Sequence, residues 1–152
     1  MKAAVDSNII IHSRRGKTFE EAYTVPGVLN ELETEKAKRN ADTMNLETQM
    51  PSENSIEEVK EASEKINSPT SDVDEELAAL ALDKDLTLVT DDKALQNLSM
   101  LLEIEFEAFM ETEIDEVLQW KRRCSNCGSE IKKVPCHRCS AEQSELKAYP
   151  YN

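Results

Sequence analysis

The chain opens on a short apolar run, Ala3-Ala4-Val5, closed by Asp6, which reads as a buried strand over Lys2 to Val5. Asn8 to His12 then begins a helix or turn that ends near Gly16, and Glu20 to Val25 is a second short strand carrying Tyr23. Pro26-Gly27 breaks that strand, and Val28 to Leu32, Glu31 among them, reads as the first turn of a helix with Pro26 near its start. Arg39 to Gln49 is weakly patterned, a short helix followed by an extended piece. Pro51 to Ser55 is a turn and cap cluster before Ile56, Val59, Ala62 and Ile66, whose spacing is close to the helical period of about 3.6. After the break Asn67-Ser68-Pro69-Thr70, Ser71 fits an N-cap with Asp74 in the reciprocal capping position. The helix Val73 to Asp83 that follows has a wide apolar side. Leu86 to Thr90 is the clearest later strand and runs into Asp91-Asp92, and Ala94 to Leu102 returns as a helix. Ile104, Phe106 and Ala108 alternate with glutamates, as in a strand with one solvated face, and Ile114 to Trp120 reads as a connecting helix.

Strands alternating with helices predict an α/β fold, a central parallel sheet flanked by helices, followed by a small cysteine module. The division is residues 1–110 for the body, 111–121 for a connecting helix and linker, 122–147 for the module and 148–152 for a tail. Of the 152 residues 39% are hydrophobic and only 5% aromatic, so the core must be mostly Leu, Ile, Val and Ala. No apolar run has the length of a membrane span, and the N-terminus has no export pattern. The expected location is the cytoplasm, where the 4 cysteines stay reduced. The net charge of −13 argues against a nucleic-acid partner until its distribution is seen. From Trp120 onward 7 Lys and Arg face 3 Asp and Glu, a net of +4, whereas the preceding residues hold 11 against 28, a net of −17. An acidic body, which also suits a salt-rich cytoplasm, thus carries a basic C-terminal module able to attract phosphate.

Acids stand at four strand ends or helix starts: Asp6, Glu31, Asp74 and the pair Asp91-Asp92. In an open parallel sheet those places face one crevice at the carboxyl ends of the strands. Crowded carboxylates repel, and a hard cation such as Mg2+ or Mn2+ reverses the repulsion. The chemistry that fits is metal-assisted hydrolysis of a phosphodiester, with one ion or two. Each acid also has a plainer reading. Asp74 can be only the capping partner of Ser71, Glu31 a solvated helix residue, and Asp72, Asp91 and Asp92 turn chemistry.

The order Val5-Asp6-Ser7-Asn8, Val25 to Leu32, Ser71-x-x-Asp74 with Leu77-Ala78-Ala79-Leu80-Ala81, then Leu88-Val89-Thr90-Asp91-Asp92, resembles the PIN-domain nuclease family over roughly residues 1–110. The resemblance implies Mg2+- or Mn2+-dependent cleavage of single-stranded RNA, with Asp6, Glu31, Asp74 and Asp92 as the metal-binding catalytic acids. Asp91 competes with its neighbour Asp92, and Asp72 more weakly with Asp74. Ser7 and Asn8 look like residues that orient the first acid or its water.

Cys124-x-x-Cys127 and Cys136-x-x-Cys139 are two knuckles separated by 8 residues, enough for a hairpin. Together they supply four thiolates for a closed, structural tetrahedral Zn2+ site. Disulfides fit poorly in a reducing compartment, and two tandem redox pairs without a thioredoxin-like context are a weaker reading. Arg122, Arg123, Lys132, Lys133 and Arg138 surround the knuckles, either as RNA-binding groups or as a solvated basic face. His137 reads as solvated surface or an RNA contact, and Trp120 as packing for the linker more than a base-stacking platform.

A PIN-like domain with a four-cysteine ribbon resembles the Nin-one-binding family of ribosome-assembly endonucleases, in its archaeal form. Thr90 to Asn97, above all Gln96-Asn97, and Trp120 just before Cys124 carry that likeness, and Ser140 departs from it where a knuckle glycine is usual. The resemblance implies a cut at the mature 3′ end of precursor small-subunit (16S) ribosomal RNA within a pre-ribosomal small subunit, alongside assembly proteins and away from membranes. Two other readings stay open: a toxin-type PIN ribonuclease, and a non-catalytic rRNA-binding assembly factor whose acids serve capping and solubility.

Overall fold

The structure is a computed structural model that describes residues 2–12, 19–109, 114 and 116–151. Among them a five-stranded parallel sheet runs in the order β3-β2-β1-β4-β5. Its strands are β1 (Lys2–Val5), β2 (Glu21–Thr24), β3 (Glu47–Thr48), β4 (Thr87–Val89) and β5 (Phe106–Glu107). The helices between them are α1 (Ser7–Ile11), α2 (Pro26–Asn30), α3 (Glu35–Met44), α4 (Glu53–Ile66), α5 (Asp72–Lys84) and α6 (Lys93–Leu101). The end expected near Gly16 lies outside the described residues.

Burial explains the order. β1 lies mid-sheet, with Ala3, Ala4 and Val5 fully buried between β2 and β4. The core around it is almost entirely Ala, Val, Ile and Leu, as the composition requires. α5 is buried along Leu77 to Ala81, and it starts with the expected capping box, Ser71 Oγ accepting from Asp74 N–H and Asp74 accepting from Ser71 N–H, both at 3.1 Å. Its N-terminus therefore stands at the carboxyl ends of the strands, because a helix that feeds a parallel strand must run antiparallel to it. α2 is held against that N-terminus: a Cβ on Gly27 would sit 2.7 Å from Val73 Cγ2, so a larger residue there would force the Val73 side chain to shift.

Several expectations are corrected. α2 is only five residues long and ends at Asn30, so Glu31 is its C-cap rather than part of an opening turn. A separate helix, capped by Thr34, takes over from Glu35, earlier than the weak pattern suggested. The connecting helix over Ile114 to Trp120 is also not formed, since β6 (Leu118–Cys124) pairs antiparallel with β7 (Ser144–Pro150). Ile114, Val117 and Leu118 have helical spacing, but a partner strand far along the chain supplies ladder bonds that outweigh local preference. β7 extends into the stretch read as a tail.

Candidate active site and thiolate cluster

Asp6 follows β1 directly and caps α1, with Oδ1 accepting the Ile9 N–H at 3.1 Å. Its other oxygen accepts the Thr90 hydroxyl, which reaches across from the end of β4. Thr24, at the end of β2, donates its hydroxyl to the Val5 carbonyl at 3.0 Å, so three neighbouring strands are tied together at this rim. Asp6 is 6% exposed. Burial pushes its carboxyl up to about 6; the bonds from Thr90 and Ile9 oppose this, and the charges of Asp92 and Asp74 add to it.

Asp92 and Thr90 are linked too. The Asp92 N–H donates to Thr90 Oγ1 at 3.1 Å, and Asp92 Oδ1 caps α6 by accepting from Ala94 N–H (2.8 Å) and Leu95 N–H (3.3 Å). Asp91 turns elsewhere, its Oδ1 accepting the Phe109 N–H at 2.7 Å beyond β5. Asp74 keeps its capping bond and stands at the start of α5, while Asp72 reaches Lys60 at 3.2 Å. Glu31 is exposed at the end of α2. The fold thus puts Asp6, Asp74 and Asp92 within electrostatic reach at one rim and turns Asp91 toward β5. Among the described residues the four cysteines form the group of three or more ligand residues whose donor atoms lie within 4.8 Å of one another.

Asp6 and Asp92 as helix caps were not anticipated, although each stands directly before its helix, the ordinary signal for one. Ser7 opens α1, and the bonds that Asp6 accepts come from Ile9 and Thr90. The contact between Thr90 and Asp6 spans 84 positions and has no local signature.

The knuckles repeat one geometry. Cys124 N–H donates to Ser129 O and Gly128 N–H to Cys124 O, at 2.9 and 3.0 Å; Cys136 N–H donates to Ala141 O and Ser140 N–H to Cys136 O, both at 2.9 Å. Gly128 and Ser140 occupy the matching turn positions with φ of +76° and +61°. Sγ separations are 3.5 Å for Cys124 and Cys139 and 3.7 Å for Cys127 and Cys136. A tetrahedron of sulfurs about 2.3 Å from Zn2+ has edges of about 3.8 Å, so the donor set fits that ion. Hydrogen bonding to the Ser129 hydroxyl and backbone holds the Cys127 thiol down to about 6, favouring the thiolate a metal needs.

The basic side chains lie on this hairpin. Arg122 donates to Ser144 Oγ at 2.7 Å, Arg123 lies over the Tyr149 ring at 5.5 Å, and Arg138 approaches Ser129 Oγ at 3.5 Å. Lys132 and Lys133 are exposed. Trp120 packs against the main core, as its reading as a linker anchor expected. No helix among the described residues is long and apolar enough to cross a membrane.

The family model for the PIN domain of ribonuclease matches residues 4–83, which contain Asp6, Glu31 and Asp74. Endoribonuclease Nob1 of Archaeoglobus fulgidus is 33% identical over 145 residues, covering 91% of this chain and 86% of that protein. The chain belongs to the Nob1 family of PIN-domain endoribonucleases. Endoribonuclease Nob1 of Methanocaldococcus jannaschii is 35% identical over 133 residues, covering 84% of this chain and 66% of its own. Ribonuclease VapC1 of Thermoplasma acidophilum is 35% identical over 82 residues, or 52% of this chain and 40% of that one. The solved structure titled FitAcB from Neisseria gonorrhoeae aligns at 13% identity and a TM-score of 0.48, over 68% of this chain and 95% of its own. A Nob1-family enzyme is an endoribonuclease, and this member combines the PIN-like α/β body with a four-cysteine hairpin able to hold a metal.

Proposed function

We propose that this endoribonuclease is divalent-metal-dependent and cuts precursor small-subunit (16S) ribosomal RNA at its mature 3′ end during ribosome assembly in the cytoplasm. The observation that carries the reading is a buried Asp6 at the carboxyl rim, facing the charges of Asp92 and Asp74, in a chain of the Nob1 family. An oxygen-only donor set suits Mg2+ or Mn2+, and Asp6, Asp74 and Asp92 with Glu31 are the proposed ligands. When bound, such an ion activates water and offsets charge developing on the phosphate. The chain's own part is to hold these oxygens. Thr90 and the Ile9 N–H fix the rotation of Asp6, and the Ala94 and Leu95 N–H groups fix that of Asp92. Zn2+ on Cys124, Cys127, Cys136 and Cys139 is the proposed structural ion, and it closes the hairpin that carries Arg122, Arg123, Lys132, Lys133 and Arg138 toward RNA phosphates.

The test is incubation with Mn2+ and an RNA spanning the mature 3′ end, with scission mapped to the nucleotide. Asp6→Asn should lower the rate by at least about a hundredfold, the loss typical of removing a main electrostatic group, with the fold retained. Unchanged cutting by Asp6→Asn would refute the assignment.

A further inference from the structure

β6 has two edges. One pairs with β7, whose following residue Tyr151 donates its N–H to the Val117 carbonyl at 3.0 Å. The other edge faces the nuclease body, and alternate residues present their backbone groups there. At Leu118 the buried side chain of Asn97 on α6 satisfies both groups, donating Nδ2–H to the carbonyl at 2.8 Å and accepting the N–H at 2.5 Å. At Trp120 the carbonyl accepts Nδ2–H of Asn67, the left-handed cap of α4, at 3.1 Å. At Arg122 the carbonyl accepts the Ile131 N–H of the hairpin itself, at 2.9 Å. Two asparagines of the body therefore do for β6 what a neighbouring strand would do.

The same helix turn reaches the acids. Gln96 Nε2–H donates to the Thr90 carbonyl at 2.9 Å while its Oε1 accepts the Ile114 N–H at 3.2 Å, and the Thr90 hydroxyl is the one on Asp6. Gln96 and Asn97 are both fully buried, a costly placement for two amides unless their partners are fixed. Trp120 and Tyr151 add apolar packing against the core. Between the end of α4 and the hairpin lies an open cleft of about 880 Å³, with Glu64, Asn67 and Ser68 on one wall and Lys121, Arg122, Glu130 and Lys132 on the other, Lys121 lying 4.0 Å from Glu130. The segment leaving that wall leads within four residues to Ser71, the cap of α5 that Asp74 bonds.

We infer that Asn97 and Asn67 are positioning residues that lock the cysteine hairpin onto the nuclease body, so that one RNA strand meets the hairpin's basic side chains and the carboxylate rim together. The consequence for RNA rests on the nuclease reading above; the docking does not.

The test uses the full metal-loaded chain. Asn67→Gly removes the amide but keeps the left-handed backbone that glycine tolerates, and Asn97→Ala removes both bonds to Leu118. KM for a long single-stranded RNA that reaches both parts should rise by about fivefold, as expected from losing a net hydrogen bond. kcat, and cleavage of an oligoribonucleotide short enough to lie within the acid rim, should stay unchanged. Hydrogen exchange at the Leu118 amide should quicken by a similar factor, while the absorption of a Co2+-substituted hairpin stays that of the parent. Should Asn97→Ala fail to fold, Asn67→Gly decides alone. Parent-like KM and parent-like exchange in Asn67→Gly would overturn the inference. A parent that cuts neither RNA would refute the nuclease reading, and Leu118 exchange with fluorescence-measured binding of the long RNA would then decide the docking on the same comparison.

Discussion

A carboxylate in the place of Asp6 is destabilising by itself. Its folded value near 6 exceeds the ordinary 3.8, so the native state binds the proton more tightly than the unfolded chain. Stability from this group is complete below the ordinary value and is lost as pH rises through about 6. In the metal-free chain Asp6→Asn should therefore raise stability at pH 7 by about 1–3 kcal/mol, the span that a shift of this size allows, and should flatten the pH profile of denaturant unfolding between acid and neutral. A parent profile already flat over that window would contradict the burial argument. Mn2+ should stabilise the parent more than the variant. The neighbouring acids separate by what they hold. Asp92→Asn should abolish cutting with little loss of stability. Asp91→Asn, which weakens the acceptor for Phe109 N–H, should cost about 1 kcal/mol of stability and leave kcat near the parent's; equal losses of kcat would mean the two acids share the task. The tandem itself was legible in sequence, but the direction of each side chain was not, because it depends on β5 and α6 as partners.

At the scale of elements, local chemistry was read correctly where the signal is local. The capping box at Ser71 and Asp74, the strand before Asp6 and the period of Ile56, Val59, Ala62 and Ile66 all appear as expected. The knuckle turns show the same logic with one exception. Ser140 holds a left-handed turn at φ +61° that Gly128 holds without a Cβ. Replacing it, Ser140→Gly should stabilise the metal-loaded hairpin by about 1 kcal/mol, the order of the left-handed penalty for a residue with a Cβ, read as tighter retention of Zn2+ against a chelator. Weaker retention would mean that the serine hydroxyl has a stabilising contact of its own. Glu31 and the stretch before Trp120 misled for a shared reason. A five-residue helix and a docked strand are set by what packs on them, and a window of a dozen residues contains neither Val73 nor β7.

Across the whole molecule the charges divide as the sequence indicated, with a basic hairpin on an acidic body, and the body carries the family match. Removing the ion from the four thiolates should unfold the knuckle end of the hairpin while the parallel sheet keeps its cooperative melting, because Cys124, Ile131 and Cys136 form a buried cluster apart from the main core. Circular dichroism and exchange at β6 and β7 would follow this; loss of the body's transition along with the hairpin would show that they fold as one unit. RNA affinity should fall with the hairpin and should weaken with salt in the parent, as phosphate contacts require.

The sequence by itself determined the elements that local rules govern: the buried strands before Asp6 and Asp91, the capping box at Ser71, the two cysteine knuckles, and the order in which the acids come. Those follow from periodicity and from groups within a few positions of one another. Only the tertiary structure decided that Thr90 reaches Asp6, that Asp91 turns to Phe109 while Asp92 caps α6, that Glu31 closes a helix instead of opening one, and that Asn97 and Asn67 grip β6. Each of these is a bond between distant segments or a boundary imposed by packing. Its free energy exists only once the partner is in place, and no window along the chain contains both.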